Sequence, residues 1–232
     1  QGDKPSLRTK LSHAVSSATD HTIRSLSAVE ISDSVLDRFK PAESVPLCLD
    51  YLSSRNFTKT CAIKFQLLFD PTSTRLVFPI RNQGGGLVGA VGRSLADGPK
   101  FYNYFGFESS KCLGGIDKLE ERYDRVLLVE GMFDVMRVSQ FEGDLNAQAV
   151  CTFKAEASDF QCGLLSGLAK PILLCYDGDM AGYKGSAKTF RRLKAKVPFA
   201  REVRMPEGSD VGSMRLSDLK HSLKLKGHTS HV

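Results

Sequence analysis

The carboxy-terminal half of the chain alternates short apolar runs with segments of helical periodicity, and this alternation constrains the fold more than any other feature. The runs are RVLLVE (125–130), AQAVCTF (147–153) and PILLCYD (171–177), and stretches with helical spacing separate them. Continuous apolar runs are typical of strands buried on both faces of a parallel sheet. Strands and helices that alternate at this spacing indicate βαβ units. The pattern therefore predicts an α/β fold with a parallel sheet covered by helices.

A smaller mixed α+β unit is predicted before this sheet. Helical spacing extends from Ile31 to Phe69, and then RLVFPI (75–80) and GLVGAVGRSL (86–95) predict a hairpin around a glycine-rich turn. The aromatic, glycine-rich segment 101–115 predicts a structured loop. The predicted divisions are a flexible lead-in or linker (1–30), an N-terminal α+β subdomain (31–120), the domain with the parallel sheet (121–212) and a C-terminal tail (213–232).

Composition excludes some classes of protein and favours others. No run of 18 apolar residues is present, which excludes a transmembrane helix. Lys and Arg number 32 against 26 Asp and Glu, and the resulting net charge of +6 suits a polyanionic partner. The six cysteines form no CxxC pair and have no histidine at zinc-finger spacing. We therefore expect no zinc in this chain, and buried thiols in a reducing cytoplasm.

Acidic residues follow the predicted strands. Glu130 ends VLLVE, Asp177 ends ILLCYD and Asp179 comes two residues later. Asp134 lies one helical turn beyond Glu130, and Asp210 lies in the loop after the last predicted strand. Ligands bind beyond the carboxyl ends of parallel strands, and carboxylates gathered there repel one another unless a divalent cation such as Mg²⁺ or Mn²⁺ is present. The set predicts a metal site, while each acid alone is equally well explained as a turn residue or helix cap.

Several segments resemble motifs of one family. VLLVEGMFDVM and LLCYDGDMAGYKG are similar to the EGxxD and DxDxAG motifs of the Toprim fold in DnaG-type bacterial and phage primases. Upstream, YLSSRNFTKTCAIKFQLLFDP, RLVFPIRNQGGGLVGAVGRSL and PKFYNYF resemble the RNA polymerase domain of those primases. MPEGSD resembles the loop that ends their Toprim core. The resemblance extends from about residue 45 to residue 212, and its upstream block is the part specific to primases.

The resemblance implies a Toprim-type sheet and a role for each matching residue. It assigns metal binding to Glu130, Asp134, Asp177, Asp179 and Asp210, with Glu130, Asp177 and Asp179 as catalytic residues. It assigns nucleotide or template binding to Arg81, Arg93, Lys100 and Asn103, and we add Lys111 because it lies close to them in the chain.

Two departures from the family and two open alternatives accompany this assignment. The family has a second acid in its last loop where this chain has Gly212. It has a GT(A/S) turn where this chain has CTFKA, so Lys154 is expected to alter substrate contacts there. Lys111 is either a phosphate contact or a solvated surface charge. The aromatic side chains of the predicted loop either stack on template bases or form a small core; they are Tyr102, Tyr104, Phe105 and Phe107.

The function implied by the resemblance is that of a DNA primase catalytic core. Such an enzyme makes short RNA primers on a single-stranded DNA template from ribonucleoside triphosphates, by nucleotidyl transfer that depends on two or more Mg²⁺ or Mn²⁺ ions. A replicative helicase and a separate zinc-binding module are the implied partners, and the bacterial cytoplasm, including that of a phage-infected host, is the implied location. The alternatives are a Toprim nuclease or topoisomerase fragment, and a non-catalytic module that binds single-stranded DNA.

Overall fold

A computed structural model describes residues 28–197 and 199–224 of the chain. These residues form two sheets, and a single hydrophobic cluster contains buried side chains from both. Residues 1–27 of the predicted lead-in and 225–232 of the predicted tail lie outside the described residues. Within the described ranges, no helix combines the length and the apolar character needed to cross a membrane.

The first sheet is antiparallel. Its region consists of β1 (Lys40–Pro41), α1 (Pro46–Ser54), α2 (Lys59–Lys64), β2 (Leu68–Asp70), β3 (Arg75–Arg81), β4 (Leu87–Ser94) and β5 (Phe101–Tyr104). The strands follow the order β1-β2-β3-β4-β5. The predicted hairpin is confirmed, since β3 and β4 pair from Arg75 opposite Ser94 to Arg81 opposite Leu87.

Two predictions for this region are wrong in part. The sequence predicts helical spacing as far as Phe69, but α2 ends at Lys64 and Gln66 has a left-handed φ of 51°, which turns the chain into strand β2. The predicted loop begins with strand β5, whose edge position exposes Phe101 and Tyr102. An edge strand pairs with a single neighbour and need not alternate in polarity. For this reason the sequence pattern alone does not reveal it.

The second sheet is parallel, as predicted. Its region consists of β6 (Arg125–Val129), α3 (Met132–Ser139), α4 (Glu142–Leu145), β7 (Ala147–Cys151), α5 (Asp159–Gly167), β8 (Ile172–Leu174), α6 (Met180–Leu193) and β9 (Ala200–Glu202). The strands follow the order β7-β6-β8-β9, and each neighbouring pair is parallel. All carboxyl ends therefore lie at one edge, where the predicted acids follow β6 and β8.

The two sheets are joined by packing around Phe133 on α3. Its ring lies 5.1 Å from the ring of Phe78 on β3 and 5.8 Å from that of Phe57, measured between centroids. Offset or edge-on aromatic pairs of this kind contribute about 0.5–1.5 kcal/mol each beyond the area they bury. Because α3 begins two residues after Glu130, this packing fixes the acidic edge of the parallel sheet against the antiparallel sheet.

The predicted C-terminal tail contains a packed helix. Residues Leu216–Lys224 form helix α7, and the side chain of Leu219 is fully buried in the main hydrophobic cluster. Lys220 on this helix pairs with Asp144 at 2.8 Å. The helix therefore belongs to the folded body. The polar composition of the segment does not indicate this.

Candidate active site

Three acids that follow different strands of the parallel sheet line one cleft. Glu130 directly follows β6, Asp177 follows β8 and Asp210 lies beyond β9. The backbone N–H of Asp177 donates to Oε1 of Glu130 at 3.1 Å, which places these two residues side by side. The cleft has a volume of about 400 Å³. The sheet order thus brings together Glu130 and Asp177, which are 47 residues apart in the chain.

The opposite wall of the cleft is cationic and comes from the antiparallel sheet. Arg93 at the end of β4, Lys100 just before β5 and Asn103 within β5 all line it. These three residues were predicted to bind nucleotide or template, and the structure places them across the cleft from the acids. The cleft therefore offers carboxylates that would suit a divalent cation and cationic side chains that would suit a polyphosphate.

The acids of the cleft repel one another. Burial, together with the charges of Asp177 and Asp179, raises the pKa of Glu130 to about 7. Burial and the charges of Asp210 and Asp179 raise the pKa of Asp177 to about 6, against the opposing effect of Lys100. Both shifts mean that the ionised forms lack sufficient positive charge nearby. A bound divalent cation supplies that charge, and carboxylate oxygens are the ligands that Mg²⁺ and Mn²⁺ prefer.

Asp134 differs from the other acids because its carboxylate is buried and bonded to the backbone. Its two oxygens accept hydrogen bonds from the N–H of Gly131 at 2.8 Å and of Gly212 at 2.7 Å. Burial and the charge of Asp177 raise its pKa to about 7. Asp134 therefore ties the start of α3 to the loop after Asp210, besides lining the cleft.

The position of Gly212 explains the missing acid of the last loop. A Cβ at residue 212 would lie 2.8 Å from Oδ1 of Asp134 and 3.1 Å from Oδ1 of Asp210. A larger side chain would have to displace one of these carboxylates. In this chain the backbone N–H of Gly212 contacts Asp134 where the resemblance expected a further acid.

Asp179 lies at the amino terminus of α6 and not in the cleft lining. Its Oδ1 accepts the backbone N–H of Gly182 at 2.8 Å, so it caps the helix. Its charge nevertheless raises the pKa of Glu130 and Asp177. Among the described residues, no group of three or more His, Cys, Asp and Glu side chains is arranged as a ready-made metal cage. The carboxylates are oriented by backbone N–H groups instead.

The structure places Arg81 and Lys111 outside the cleft. Arg81 pairs with Asp33 at 3.0 Å and donates to the carbonyl of Gly85 in the hairpin turn. A register shift between Ile80 and Arg81 marks the end of β3, at the turn end of the hairpin. Lys111 pairs with Glu108 at 3.1 Å and lines a different pocket. Proximity in sequence to the acidic sheet did not distinguish these cations from Arg93 and Lys100.

Sequence reasoning missed Arg55, a further cation of the cleft. It follows α1, and its guanidinium carbon lies 4.4 Å from the centroid of the Phe133 ring. Its Nε is buried and has no hydrogen-bond partner among the described residues, and the same holds for Nε of Arg93. Arg55 falls in the YLSSRNF stretch that carries the resemblance, and this motif was the available signal.

Some aromatic side chains of the segment after Lys100 are buried in a small core, and others are exposed. Tyr104 and Phe107 are buried, and the hydroxyl of Tyr104 donates to Asp70 at 2.7 Å. Tyr102 is 54% exposed and Phe101 is 50% exposed, with Phe101 lining the cleft. A small core forms around Tyr104, and Phe101 presents an exposed ring beside the cationic wall.

Gly178 holds the loops after β8 and β9 together. Its N–H donates to the carbonyl of Ser209 at 2.8 Å, and its own carbonyl accepts the N–H of Gly208 at 2.8 Å. A Cβ at this position would lie 1.8 Å from the carbonyl oxygen of Pro206. The close approach of these two backbones sets the position of Asp210 relative to Asp177.

We expect Gly178→Ala to destabilise the protein by about 1–3 kcal/mol, because the added methyl group forces the two loops apart. Urea unfolding measures this change. The matched control is Gly163→Ala at an exposed position of helix α5, where a Cβ meets nothing within 4 Å. That change should stabilise the protein by up to about 1 kcal/mol through helix propensity. Equal stabilities of the two variants would contradict the close packing inferred at Gly178.

The parallel-sheet region also matches a known sequence family. The profile of a family described as Toprim-like matches residues 127–214, a range that contains all five predicted acids. Residues 127–214 are similar to a Toprim-like domain. This agrees with the sheet order and with acids that follow β6 and β8.

Individual proteins extend the similarity beyond the Toprim-like domain. The chain is 29% identical over 184 residues to the DNA primase of Staphylococcus aureus strain MSSA476, across 72% of this chain and 30% of that protein. Among solved structures it is similar to the DnaG catalytic core, with a TM-score of 0.66, 21% identity and coverage of 83% of this chain and 78% of that one. It is also similar to a DnaG primase catalytic domain bound to single-stranded DNA, with a TM-score of 0.64, 21% identity and coverage of 90% and 78%.

These similarities confirm the predicted resemblance to DnaG-type primases and the predicted fold class. The chain spans less than a third of the length of the staphylococcal DNA primase that it matches. The antiparallel sheet and the Toprim-like domain together reproduce the DnaG catalytic core fold.

Proposed function

We propose that this chain is the catalytic core of a DNA primase, which joins ribonucleotides on a single-stranded DNA template. The observation that carries the proposal is the cleft in which Glu130, Asp177 and Asp210 face the cations Arg93 and Lys100. Nucleotidyl transfer needs both groups, because the metal ions require carboxylates and the phosphates require cations. The similarity to DNA primases supports the same conclusion.

Glu130 and Asp177 are proposed to hold divalent Mg²⁺ or Mn²⁺, with Asp210 completing the site and Asp179 and Asp134 acting from its border. When bound, such ions lower the pKa of the attacking hydroxyl and stabilise the charge on the phosphates. Raised pKa values at Glu130 and Asp177 fit this role, because the two acids lack a compensating cation. Two or more ions are proposed, in accordance with two-metal phosphoryl transfer.

The cationic wall is proposed to bind the phosphates of the nucleotide and the template. Arg55 and Arg93 each keep a buried Nε without a partner among the described residues, so both retain donor capacity for an anion. Arg93 and Lys100 also lie 5.3 Å and 5.6 Å from the ring of Phe101, measured to its centroid. An exposed ring between two cations suits a base and its neighbouring phosphates.

The proposal extends to the domain divisions and the surroundings of the chain. Residues 31–120 are proposed as the subdomain that carries the cationic wall and 121–212 as the Toprim domain. A replicative helicase and a separate zinc-binding module are the proposed partners, and the bacterial cytoplasm is the proposed location. The net charge of +6 suits a nucleic-acid partner.

Incubation with single-stranded DNA, labelled ribonucleotides and Mg²⁺ or Mn²⁺ tests the proposal. Short RNA products that depend on both the template and the metal support a primase. Cleaved DNA would instead support a Toprim nuclease, and DNA binding with neither product would support a non-catalytic module. Either of these last two results rejects the proposed function.

We expect Lys100→Ala to weaken binding to the phosphates of nucleotide or template and to reduce the salt dependence of DNA binding. Each lost phosphate contact lowers the slope of log affinity against log salt by about 0.7 for a single strand. Titration of a labelled oligonucleotide at several salt concentrations measures the slope. Lys59→Ala removes an exposed charge that does not line the cleft and should leave the slope unchanged. An unaltered slope together with unaltered nucleotide affinity in Lys100→Ala would show that this lysine does not bind phosphate.

A further inference from the structure

The loop that follows β7 is held in place on both sides of Lys154. Thr152 is buried, and its N–H donates to the carbonyl of Val129 at 3.1 Å while its hydroxyl donates to the carbonyl of Lys154. Phe153 has a left-handed φ of 62°, and its ring packs edge-on against that of Phe107 with centroids 5.1 Å apart. The amino-terminal half of the loop is therefore anchored to the strand and to the core.

Helix α6 anchors the other half of the loop. The carbonyl of Ala155 packs onto Gly185, where a Cβ would lie 1.6 Å from that oxygen. Glu156 pairs with Arg192 at 2.7 Å and with Lys188 at 3.1 Å. The residues after Lys154 are thus fixed by close backbone packing and by ion pairs. A loop with this many contacts presents its remaining side chain from a defined backbone position.

Lys154 is the exposed side chain of this fixed loop, and it lines the acidic cleft. The ammonium of Lys154 makes no hydrogen bond or ion pair within the described part of the chain, although Glu130 and Asp177 line the same cleft. Strands β7, β6 and β8 are neighbours in that order, so their carboxyl ends place the Lys154 loop, Glu130 and Asp177 in a row. Lys100, whose charge acts on Asp177, approaches from the other wall.

This arrangement gives the cleft a cation on the Toprim side as well as on the antiparallel side. An ammonium held beside carboxylates, but not paired with them, is placed to bind an anion that also contacts the metal site. The phosphates of a nucleoside triphosphate are such an anion. The Lys154 loop follows β7, and β6, which ends at Glu130, lies between β7 and the strand that leads to Asp177. A template backbone along the opposite wall would contact Arg93 and Lys100 without passing this loop.

We propose, on the basis of the function inferred above, that Lys154 binds the triphosphate of the incoming nucleotide from the Toprim side of the cleft. The sequence CTFKA stands where the family has a GT(A/S) turn, so this contact is a feature of this chain. Lys154 and Lys100 then hold the phosphates from two sides. No bond is made or broken by either lysine.

Equilibrium binding of GTP in the presence of Mn²⁺ tests this proposal without requiring synthesis. Lys154→Ala should weaken GTP binding by about tenfold or more, as expected for a lost hydrogen bond to a charged group. Inorganic triphosphate should lose affinity to the same extent, because the contact is to phosphate. Lys154→Arg should restore most of the affinity, and the melting temperature should not change because the side chain has no partner within the described part of the chain.

Lys184→Ala is the matched control, since it removes an exposed charge from the same domain outside the cleft. It should bind GTP and an oligothymidylate as the wild type does. Unchanged GTP affinity in Lys154→Ala would overturn the proposal, and so would a loss confined to oligothymidylate. A wild type that makes no primers while Lys154→Ala still loses GTP affinity would reject the primase function and leave this inference standing.

Discussion

Glu130→Gln and Asp177→Asn are each expected to abolish primer synthesis while the protein stays folded. Each change removes one anionic ligand from the proposed metal site, and even outer-sphere partners of a metal typically change affinity or activity by 10–100-fold. We therefore expect a loss of at least about 100-fold in the rate of primer synthesis for each variant. Gel analysis of labelled products at saturating Mg²⁺ measures the rate.

The fold should survive these substitutions for a structural reason. Oε1 of glutamine can still accept the N–H of Asp177, the hydrogen bond that Glu130 makes at 3.1 Å. Glu121→Gln is the matched control, because this exposed acid precedes β6 at the opposite end of the parallel sheet. Full synthesis by Glu130→Gln or Asp177→Asn would contradict the site assignment, and so would an equal loss in Glu121→Gln.

The parallel sheet and the meeting of its acids were predictable because both depend on local patterns. The runs VLLVE and ILLCYD are too apolar for a sheet that faces water on one side. Once they are parallel neighbours, geometry alone brings Glu130 and Asp177 to one edge. No side-chain packing had to be known for this step.

The different roles of the acids were not predictable from their spacing in the sequence. Asp177 lines the cleft, whereas Asp179, two residues later, caps α6. Asp134 lies a helical turn from Glu130 and bonds to the N–H of Gly212, 78 residues away. These differences arise from long-range backbone contacts that the sequence pattern does not contain.

Which of the cationic side chains line the cleft was likewise not predictable from the sequence pattern alone. Arg81 and Arg93 are both in the hairpin, but the register puts Arg81 at the turn, beside Asp33, and Arg93 at the opposite end, beside the cleft. Arg55 enters the cleft only because α1 packs against Phe133. Charge counting near the acidic sheet therefore found part of the cationic wall, and tertiary packing determined the rest.

The stability of the metal-free protein is expected to fall as the pH rises from about 4.5 to about 7. The pKa of Glu130 is raised from 4.5 to about 7, mainly by burial and then by Asp177. The folded state therefore keeps a proton at Glu130 that the unfolded state loses, and stability declines through this window. Each unit of raised pKa corresponds to about 1.4 kcal/mol. Asp177, raised to about 6, acts in the same direction.

Thermal unfolding of the wild type and Glu130→Gln isolates this effect, because the other titrating groups are shared. The two proteins should melt together well below pH 4.5, where Glu130 is protonated in both states. At pH 8 the variant should melt several degrees higher in EDTA, since 1 kcal/mol corresponds to about 2–4 °C at this size. Mg²⁺ should raise the wild-type melting temperature at pH 8 but not at pH 4.5, because protons then occupy the acids that bind it. A difference in melting temperature that does not change with pH would show that the pKa of Glu130 is not raised in the folded protein. A Mg²⁺ effect of equal size at both pH values would mean that the ion binds elsewhere.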